Sequence, residues 1–453
     1  MKLTRTTEKF PSAPIRIVHI GLGAFHRAHQ AWYTQHADPE HQWGIAAFTG
    51  RSPEAAEKLN GQDNLYTLIE RGPVEDKFEV ISSITSSYDI DNYWQLKELI
   101  ASPLVAIVSL TITEAGYNFN LSGGLDRENT LIDEDLENLS VDDYVPHTIL
   151  FKIAAGLIKR YKINRKPIAV MSCDNLSANG VRLQAAMSEI FSFLPNEIDQ
   201  WFRESVTFPS TSVDRITPKT TDSDFEAVLK ATGVEDLTPV VTEPFSNWII
   251  KGEFPSGRPS WERAGAVFVT DIEAFENRKL WLLNGAHSLM AYQGLNSGLT
   301  NVADAMKNAA IRDNVFKFWD EASSLLDSPE LNPSDYKKDL VSRFENHRIE
   351  HQLSQIAIDG GTKLVFRVIP VIKGNLKNGI FPEASAGIVA SWISYLLDTP
   401  EIKDSRISEI SVALSSKDPI RELLALLDAS LAENFNFLAY IRELIEKKKV
   451  LSA

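Results

Sequence analysis

Residues 15–37 constrain the fold more than any other segment. Ile15 to Ile20 (IRIVHI) is a short apolar run rich in β-branched residues. Gly21 and Gly23 follow at once, and AFHRAHQAWYTQHA then reads as a helix. Strand, glycine turn and helix in that order open a dinucleotide-binding βαβ unit, in which backbone N–H groups and a helix N-terminus face a pyrophosphate. The third glycine of G-x-G-x-x-G is replaced by His26, so the fingerprint is incomplete. Gly21, Gly23, Phe25 and His26 are the candidate coenzyme contacts in this turn.

Further strands are expected at Trp43 to Phe48, Phe78 to Ile81, Val105 to Leu110 and Ile168 to Ser172, with helical stretches such as 92–101 and 147–161 between some of them. Strands alternating with helices predict a mostly parallel sheet covered on both faces. Residues 206–270 hold short β-like runs (VVTEPFSNWII, AGAVFVTDI) together with Pro218, Pro239 and Pro244, and read as an extension of the same domain. After about residue 273 helical periods follow one another: 304–327, 335–346, 383–398 and 419–447. Asp418 and Pro419 form an N-cap and first-turn pair for the last. The expected fold class is therefore α/β, a Rossmann-type domain over 1–272 followed by a mainly helical domain over 273–453.

The chain has 46 Lys and Arg against 61 Asp and Glu, a net charge of −15, which repels polyanions and argues against nucleic acid or an anionic membrane as partner. A single cysteine, Cys173, excludes an intramolecular disulfide and a multi-thiolate zinc site. The start lacks an apolar signal core, and nowhere do about 18 apolar residues run together. The chain thus reads as cytoplasmic and directed at a small molecule.

Chemistry concentrates in KLWLLNGAH at 279–287, at the start of the helical half, where a cleft between the two domains is expected. At about 100° per residue, Lys279, Asn284 and His287 point near 0°, 140° and 80° of a helix and share one face. A desolvated lysine can act as general base at neutral pH, while the amide and the imidazole hold a substrate oxygen. A buried amphipathic helix with three hydrogen-bonded polar residues has the same pattern.

Four more segments carry polar residues. MSCDNLSANG puts Asn175 at the carboxyl end of a strand, where α/β sheets place ligands, although Asp174 and Asn175 also suit a turn. SLTITEAGY puts Thr111, Thr113 and Glu114 at another such end. VTFPSTSVDRITP holds Asp214 and Arg215, a structural ion pair or part of the pocket. DGGTKLVFRVIPVIKGN holds Lys363, Arg367 and Lys373, surface cations by default or anchors for an anionic or polyhydroxylated substrate.

Together these motifs resemble the polyol-specific long-chain dehydrogenases, the mannitol dehydrogenase-like enzymes that include mannitol 2-dehydrogenase, fructuronate reductase (D-mannonate oxidoreductase) and D-arabinitol dehydrogenase. The V-D-R-I-x-P signature is met by Val213, Asp214, Arg215, Ile216 and Pro218, and K-x-x-x-x-N-x-x-H by Lys279, Asn284 and His287. The G-x-G-x-F-H-R-x-H opening is met by Gly21, Gly23, Phe25, His26, Arg27 and His29. The similarity runs from about residue 15 to 395. It implies a metal-independent oxidoreductase in which Lys279 removes the alcohol proton. Asn175 and Asn284 then steady the developing alkoxide, and His287 orients the substrate. Glu276 passes the proton to solvent and Asp214 supports the polar shell.

Two features depart from that pattern. Where NAD-binding proteins commonly carry an acid at the end of the second strand, this chain has Arg51 and Ser52. A guanidinium there favours a 2′-phosphate or stacks on adenine, so NAD is placed only slightly ahead of NADP. The substrate anchor, an arginine in some relatives, falls on Lys373 by its spacing after Pro370. The D-mannonate/D-fructuronate pair is placed ahead of mannitol/fructose or arabinitol. The rival from another class is a non-catalytic dinucleotide-binding sensor, against which the retained Lys279, Asn175 and Asn284 argue. A monomer or a weak oligomer is expected.

Overall fold

Six parallel strands form the main sheet of the first unit, in the order β5-β2-β1-β6-β7-β8: β1 Ile15–Ile20, β2 Gly44–Phe48, β5 Ile84–Tyr88, β6 Ile107–Leu110, β7 Ile168–Ser172 and β8 Val206–Thr207. The structure is a computed structural model describing residues 2–50, 52–120, 123–349, 351–399 and 401–452. Arg51 lies outside the described residues.

Alternation along the strands explains why the sheet is covered twice, because successive side chains leave a strand on opposite faces. Val18, Ile20, Val108, Leu110 and Val170 enter one core with Leu96, Phe151, Leu157, Leu183 and Met187 from the helices Tyr93–Ala101, Ile149–Ile163 and Asn179–Ser192. Ile17, Ile107, Ala169 and Met171 enter the other with Ala31 and Tyr33 of the helix Gln30–Ala37 and with Trp248 and Trp261. Each buried Val, Leu or Ile side chain stabilises the fold by about 1.5–3 kcal/mol.

The chain leaves β1 towards β2 on one side and returns to β6 on the other. The carboxyl ends of β1 and β6 are therefore the topological switch point where open α/β sheets bind ligands. Two small sheets complete the unit. In β10-β3-β4, Val240–Thr242 lies parallel to Tyr66–Arg71, which pairs antiparallel with Asp76–Ile81. In β12-β11-β9, Asn247–Lys251 pairs antiparallel with Ser210–Asp214 and parallel with Val267–Phe268.

Contacts divide the chain into Met1–Ile272 and Glu273–Ala453. The second unit is mainly helical, including Ala286–Leu295, Ala309–Ser323, Pro333–Glu345, Gly360–Arg367, Ile369–Lys377 and Glu383–Asp398. No helix of the described residues is long and apolar enough to cross a membrane.

Several expected elements are interrupted, each time by a side chain that binds the backbone. The segment after Gly23 is two helices, Ala24–Ala28 and Gln30–Ala37, broken at His29, whose ring bonds the Asn247 carbonyl (3.1 Å). The stretch 304–327 breaks at Asn308, whose side chain accepts from the N–H groups of Ala310 and Ile311. The stretch 419–447 breaks at Asp428, which caps Leu431. Asp418 caps the helix beginning at Pro419, accepting from Arg421 N–H. β3 and β5, and the helix Asp222–Thr232 with its Thr221/Asp224 capping box, are elements the sequence reading lacks.

Candidate active site

The glycine turn is built around a close backbone approach. Gly21 has φ +111°, and a Cβ there would lie 2.1 Å from the Thr111 carbonyl oxygen, so β1 and the end of β6 can meet only through glycine. The Thr111 hydroxyl donates to the Gly21 carbonyl (2.9 Å) and bonds the His19 imidazole (2.9 Å), which reaches Ser109 on its other side (2.9 Å). Thr111 thus holds the turn from within.

His26 occupies the third fingerprint position as a packing residue. Its ring stacks on His19 at 3.4 Å with 9° between the planes, and both rings are fully buried. Burial holds His19 neutral down to about pH 3, and burial beside His19 pushes His26 well below the usual histidine range. Phe25 is half-buried and stacks on His29 (5.2 Å). A Cβ on Gly23 would meet only the Gly21 carbonyl, at 3.6 Å, and no side chain caps the helix that starts there. The first-turn N–H groups are open to an anion, so the turn fits a coenzyme pyrophosphate.

The ends of β6 and β7 are clamped together by Asp174. Its carboxylate accepts from the N–H groups of Ile112 (2.9 Å) and Thr113 (3.0 Å) and from the Tyr117 hydroxyl (2.6 Å). Thr113, at φ +65°, is held there in a backbone conformation costly for a non-glycine residue. Burial raises the Asp174 pKa, and the three donors oppose that shift. Thr113 and Glu114 are exposed at this strand end. Asn175 follows at the exposed tip of the β7 loop. Below it the Asn179 amide donates to the carbonyls of Asp174 (3.1 Å) and Thr211 (2.8 Å). The sequence pointed to a turn at Asp174 but not to this clamp, because its partners lie about 60 residues upstream.

Asp214 ends β9 and is buried. Its neighbour Arg215 pairs with Glu70 (3.4 Å), donates to the Ala28 carbonyl (2.7 Å) and lies over the Trp32 ring. An Asp214–Arg215 ion pair was one of the two sequence readings; Arg215 instead spends its charge on Glu70 and on backbone.

In the helical unit, Lys279–Gly285 is a π-helix, continued by the α-helix Ala286–Leu295. This corrects the projection made at about 100° per residue. π-Helical hydrogen bonds join residues five apart, the spacing of Lys279 and Asn284, and the wider turn narrows the angle between them. Side chains of the continuing helix and of neighbouring helices bond two carbonyls of this turn. The Trp319 indole donates to the Leu282 carbonyl (2.7 Å), while the Ser288 hydroxyl (3.2 Å) and the Arg367 guanidinium (3.4 Å) donate to that of Asn284. Gly285 lets the helix Ala309–Ser323 approach, since a Cβ there would lie 2.6 Å from the Phe318 ring. Just upstream, Arg278 is buried, donates to the Leu331 carbonyl (2.5 Å) and lies over Tyr336.

Lys279 and Asn284 are half-buried, and Glu276 and His287 are buried. The His287 ring packs between Phe344 (4.9 Å) and His351 (4.8 Å), and burial holds its pKa well below the usual histidine range. Of the three cations singled out at 363–373, Arg367 is the one that reaches Asn284, and it also donates to Ser288 (3.3 Å). Burial lowers its pKa to about 10. Lys363 is partly buried and donates to the Ile356 carbonyl (3.2 Å). Lys373, the anchor expected from spacing, forms an ion pair with Asp428 (2.8 Å) and is half-exposed. Among the described residues, no cluster of three or more His, Cys, Asp or Glu could hold a metal ion.

Residues 15–263 match the mannitol dehydrogenase Rossmann domain and residues 271–448 the mannitol dehydrogenase C-terminal domain. The chain is 36% identical over 430 residues to D-mannonate oxidoreductase of Escherichia coli (strain K12), covering 91% of this chain and 88% of the relative. It is 38% identical over 396 residues to mannitol 2-dehydrogenase of Neosartorya fischeri, covering 84% and 78%. The solved structure of Pseudomonas fluorescens mannitol 2-dehydrogenase, a ternary complex with NAD and D-mannitol, superposes with a TM-score of 0.82 at 32% identity, over 99% of this chain and 97% of that one. The glycine turn at the switch point, the strand-end amide and the Lys–Asn–His turn thus sit in a chain that belongs to the mannitol dehydrogenase family and is an oxidoreductase of the polyol dehydrogenase type.

Proposed function

We propose that this protein interconverts a secondary alcohol of a linear hexonate or hexitol and the corresponding ketone, with Lys279 as general base. The observation that carries this reading is the π-helical turn with Lys279 and Asn284 five residues apart, two of its carbonyls bonded by the side chains of Trp319, Ser288 and Arg367. π-Turns are uncommon and recur at functional sites.

In this reading Lys279 takes the proton from the alcohol oxygen, which raises electron density there and favours loss of hydride from the same carbon. A bound nicotinamide coenzyme supplies the hydride acceptor: NAD is favoured because a relative of known structure binds it, and NADP is the alternative. The amides of Asn284 and Asn175 donate to the developing alkoxide, and loss of one such donor typically costs about 2.7–4 kcal/mol of transition-state stabilisation. His287, held neutral, orients the substrate carbonyl or a neighbouring hydroxyl. Glu276, three residues before the lysine, relays the proton to solvent, and Asp214 supports the polar shell. Gly21, Gly23, Phe25, Thr113 and Glu114 are the coenzyme side of the site, with His26 and Thr111 holding the turn from beneath.

The D-mannonate/D-fructuronate pair is the favoured substrate. The half-buried Arg367 guanidinium beside Asn284 suits a carboxylate through its planar fork, and a relative at 36% identity is a D-mannonate oxidoreductase. Mannitol/fructose is the second reading, favoured by the relative bound to D-mannitol.

The test is turnover of a panel of hexonates and hexitols, each with NAD and NADP, read by the absorbance of the reduced nicotinamide. D-Mannonate with NAD is expected to turn over best. A protein that binds coenzyme with ordinary affinity and turns over nothing in the panel would contradict the reading and favour the sensor.

A further inference from the structure

The helical unit carries a second imidazole beside the one already assigned. The rings of His287 and His351 lie 4.8 Å apart at 80° to each other. Nε2 of His287 and Nδ1 of His351 are each sealed from solvent without a hydrogen-bond partner among the described residues. A buried imidazole nitrogen left unbonded is costly, so two in adjoining rings are suited to bond each other.

The surroundings restrict what that bond can be. Phe344 packs on His287 from the helix Pro333–Glu345. The charged groups acting on His287 are Arg343 and Arg367, and Arg343 also acts on His351. Burial first holds both imidazoles towards the neutral form, with the His351 ring and then Arg343 and Arg367 adding to it at His287, and Arg343 at His351. A neutral imidazole has one donor nitrogen and one acceptor nitrogen, and the bond made by one nitrogen decides the role of the other. Phe344 is apolar, and the adjoining His351 ring carries the other orphaned nitrogen, so His351 is the group suited to set the tautomer of His287.

We propose that His351 is a positioning residue: its Nδ1–H donates to Nε2 of His287, leaving the Nδ1–H of His287 to donate to a substrate oxygen. This rests on the substrate-orienting role given to His287 above. The donor polarity is what a carbonyl or developing alkoxide requires, and a His287 proton on Nε2 instead would present a lone pair to that oxygen.

The experiment is ¹⁵N spectroscopy of the histidine side chains in the full-length protein at neutral pH, with His287 assigned by the loss of its signals in His287→Gln. It is paired with steady-state kinetics of His351→Phe and His351→Gln. The wild-type protein is expected to hold His287 in the Nδ1–H tautomer, and His351→Phe to shift it towards Nε2–H. kcat should fall about tenfold in His351→Phe, with substrate KM within about twofold. His351→Gln, whose amide still donates, should recover most of that loss.

Wild-type His287 found with its proton on Nε2 would overturn the proposal whatever the variants do. So would a His351→Phe protein with unchanged tautomer and unchanged kcat. The tautomer readout needs no turnover, so it separates failure of this inference from failure of the proposed reaction.

Discussion

The indole N–H of Trp319 donates to the backbone carbonyl of Leu282 at 2.7 Å, both groups buried inside the helical unit. That bond gives a carbonyl of the π-turn a side-chain donor, and so ties the packing of the helix Ala309–Ser323 to the turn that spaces Lys279 and Asn284. Trp319→Phe keeps most of the ring and removes the donor. Loss of one buried hydrogen bond typically costs about 0.5–1.5 kcal/mol, so thermal unfolding should show a loss of that size. kcat should fall with coenzyme affinity unchanged.

In the first unit, Asp174 holds the ends of β6 and β7 by accepting two backbone N–H groups and the Tyr117 hydroxyl. Asp174→Asn replaces one acceptor oxygen by a donor facing donors. Denaturant unfolding should show a loss of about 1–3 kcal/mol, and coenzyme titration should show weaker binding, because Thr113 is no longer held at positive φ.

Gly21→Ala should be among the most damaging single substitutions in the first unit. Its Cβ would overlap the Thr111 carbonyl at 2.1 Å in a backbone conformation unfavourable to alanine. Coenzyme binding should be lost and the melting temperature lowered, whereas Gly50→Ala, with no atom within 4 Å of the added Cβ, should retain both.

The stacked His19–His26 pair makes the first unit acid-labile. The folded protein keeps His19 neutral to about pH 3, while the unfolded chain takes up its proton near 6.5. The unfolded state therefore binds more protons across that window. Stability is fully present above 6.5 and falls as the pH drops through the window, by about 1.4 kcal/mol per pH unit for each fully titrating group. Unfolding free energies measured between these limits should show a shallower slope in His26→Asn. An unchanged slope would show that the pair does not govern acid sensitivity.

Arg367 and Lys373 separate two views of the substrate anchor. Arg367 donates to the Asn284 carbonyl and Ser288, whereas Lys373 is paired with Asp428. Arg367→Met should raise KM for a sugar acid by more than tenfold, a difference of about 1.4 kcal/mol, and Lys373→Ala should change it less. The reverse order would return the anchor to Lys373.

Much of the fold was legible because it follows local periodicity: β1 and β7 begin and end where their apolar runs do, as does the helix Glu383–Asp398. The interruptions at His29, Asn308 and Asp428 escaped because each depends on a side chain bonding backbone, which apolar spacing does not encode. The candidate site residues stand out in the sequence by their motifs, but their geometry does not. The π-turn depends on Trp319 and Arg367, 37 and 83 residues beyond the carbonyls they bind. His351 lies 64 positions beyond His287, with no shared motif to pair them.

Chemical rescue of Lys279→Ala by small primary amines tests the general-base assignment most directly. Lys279→Ala should bind coenzyme normally and lose nearly all turnover, and added amines should restore activity in proportion to their free-base concentration. Turnover in Lys279→Ala within tenfold of wild type, with no response to amines, would contradict the account.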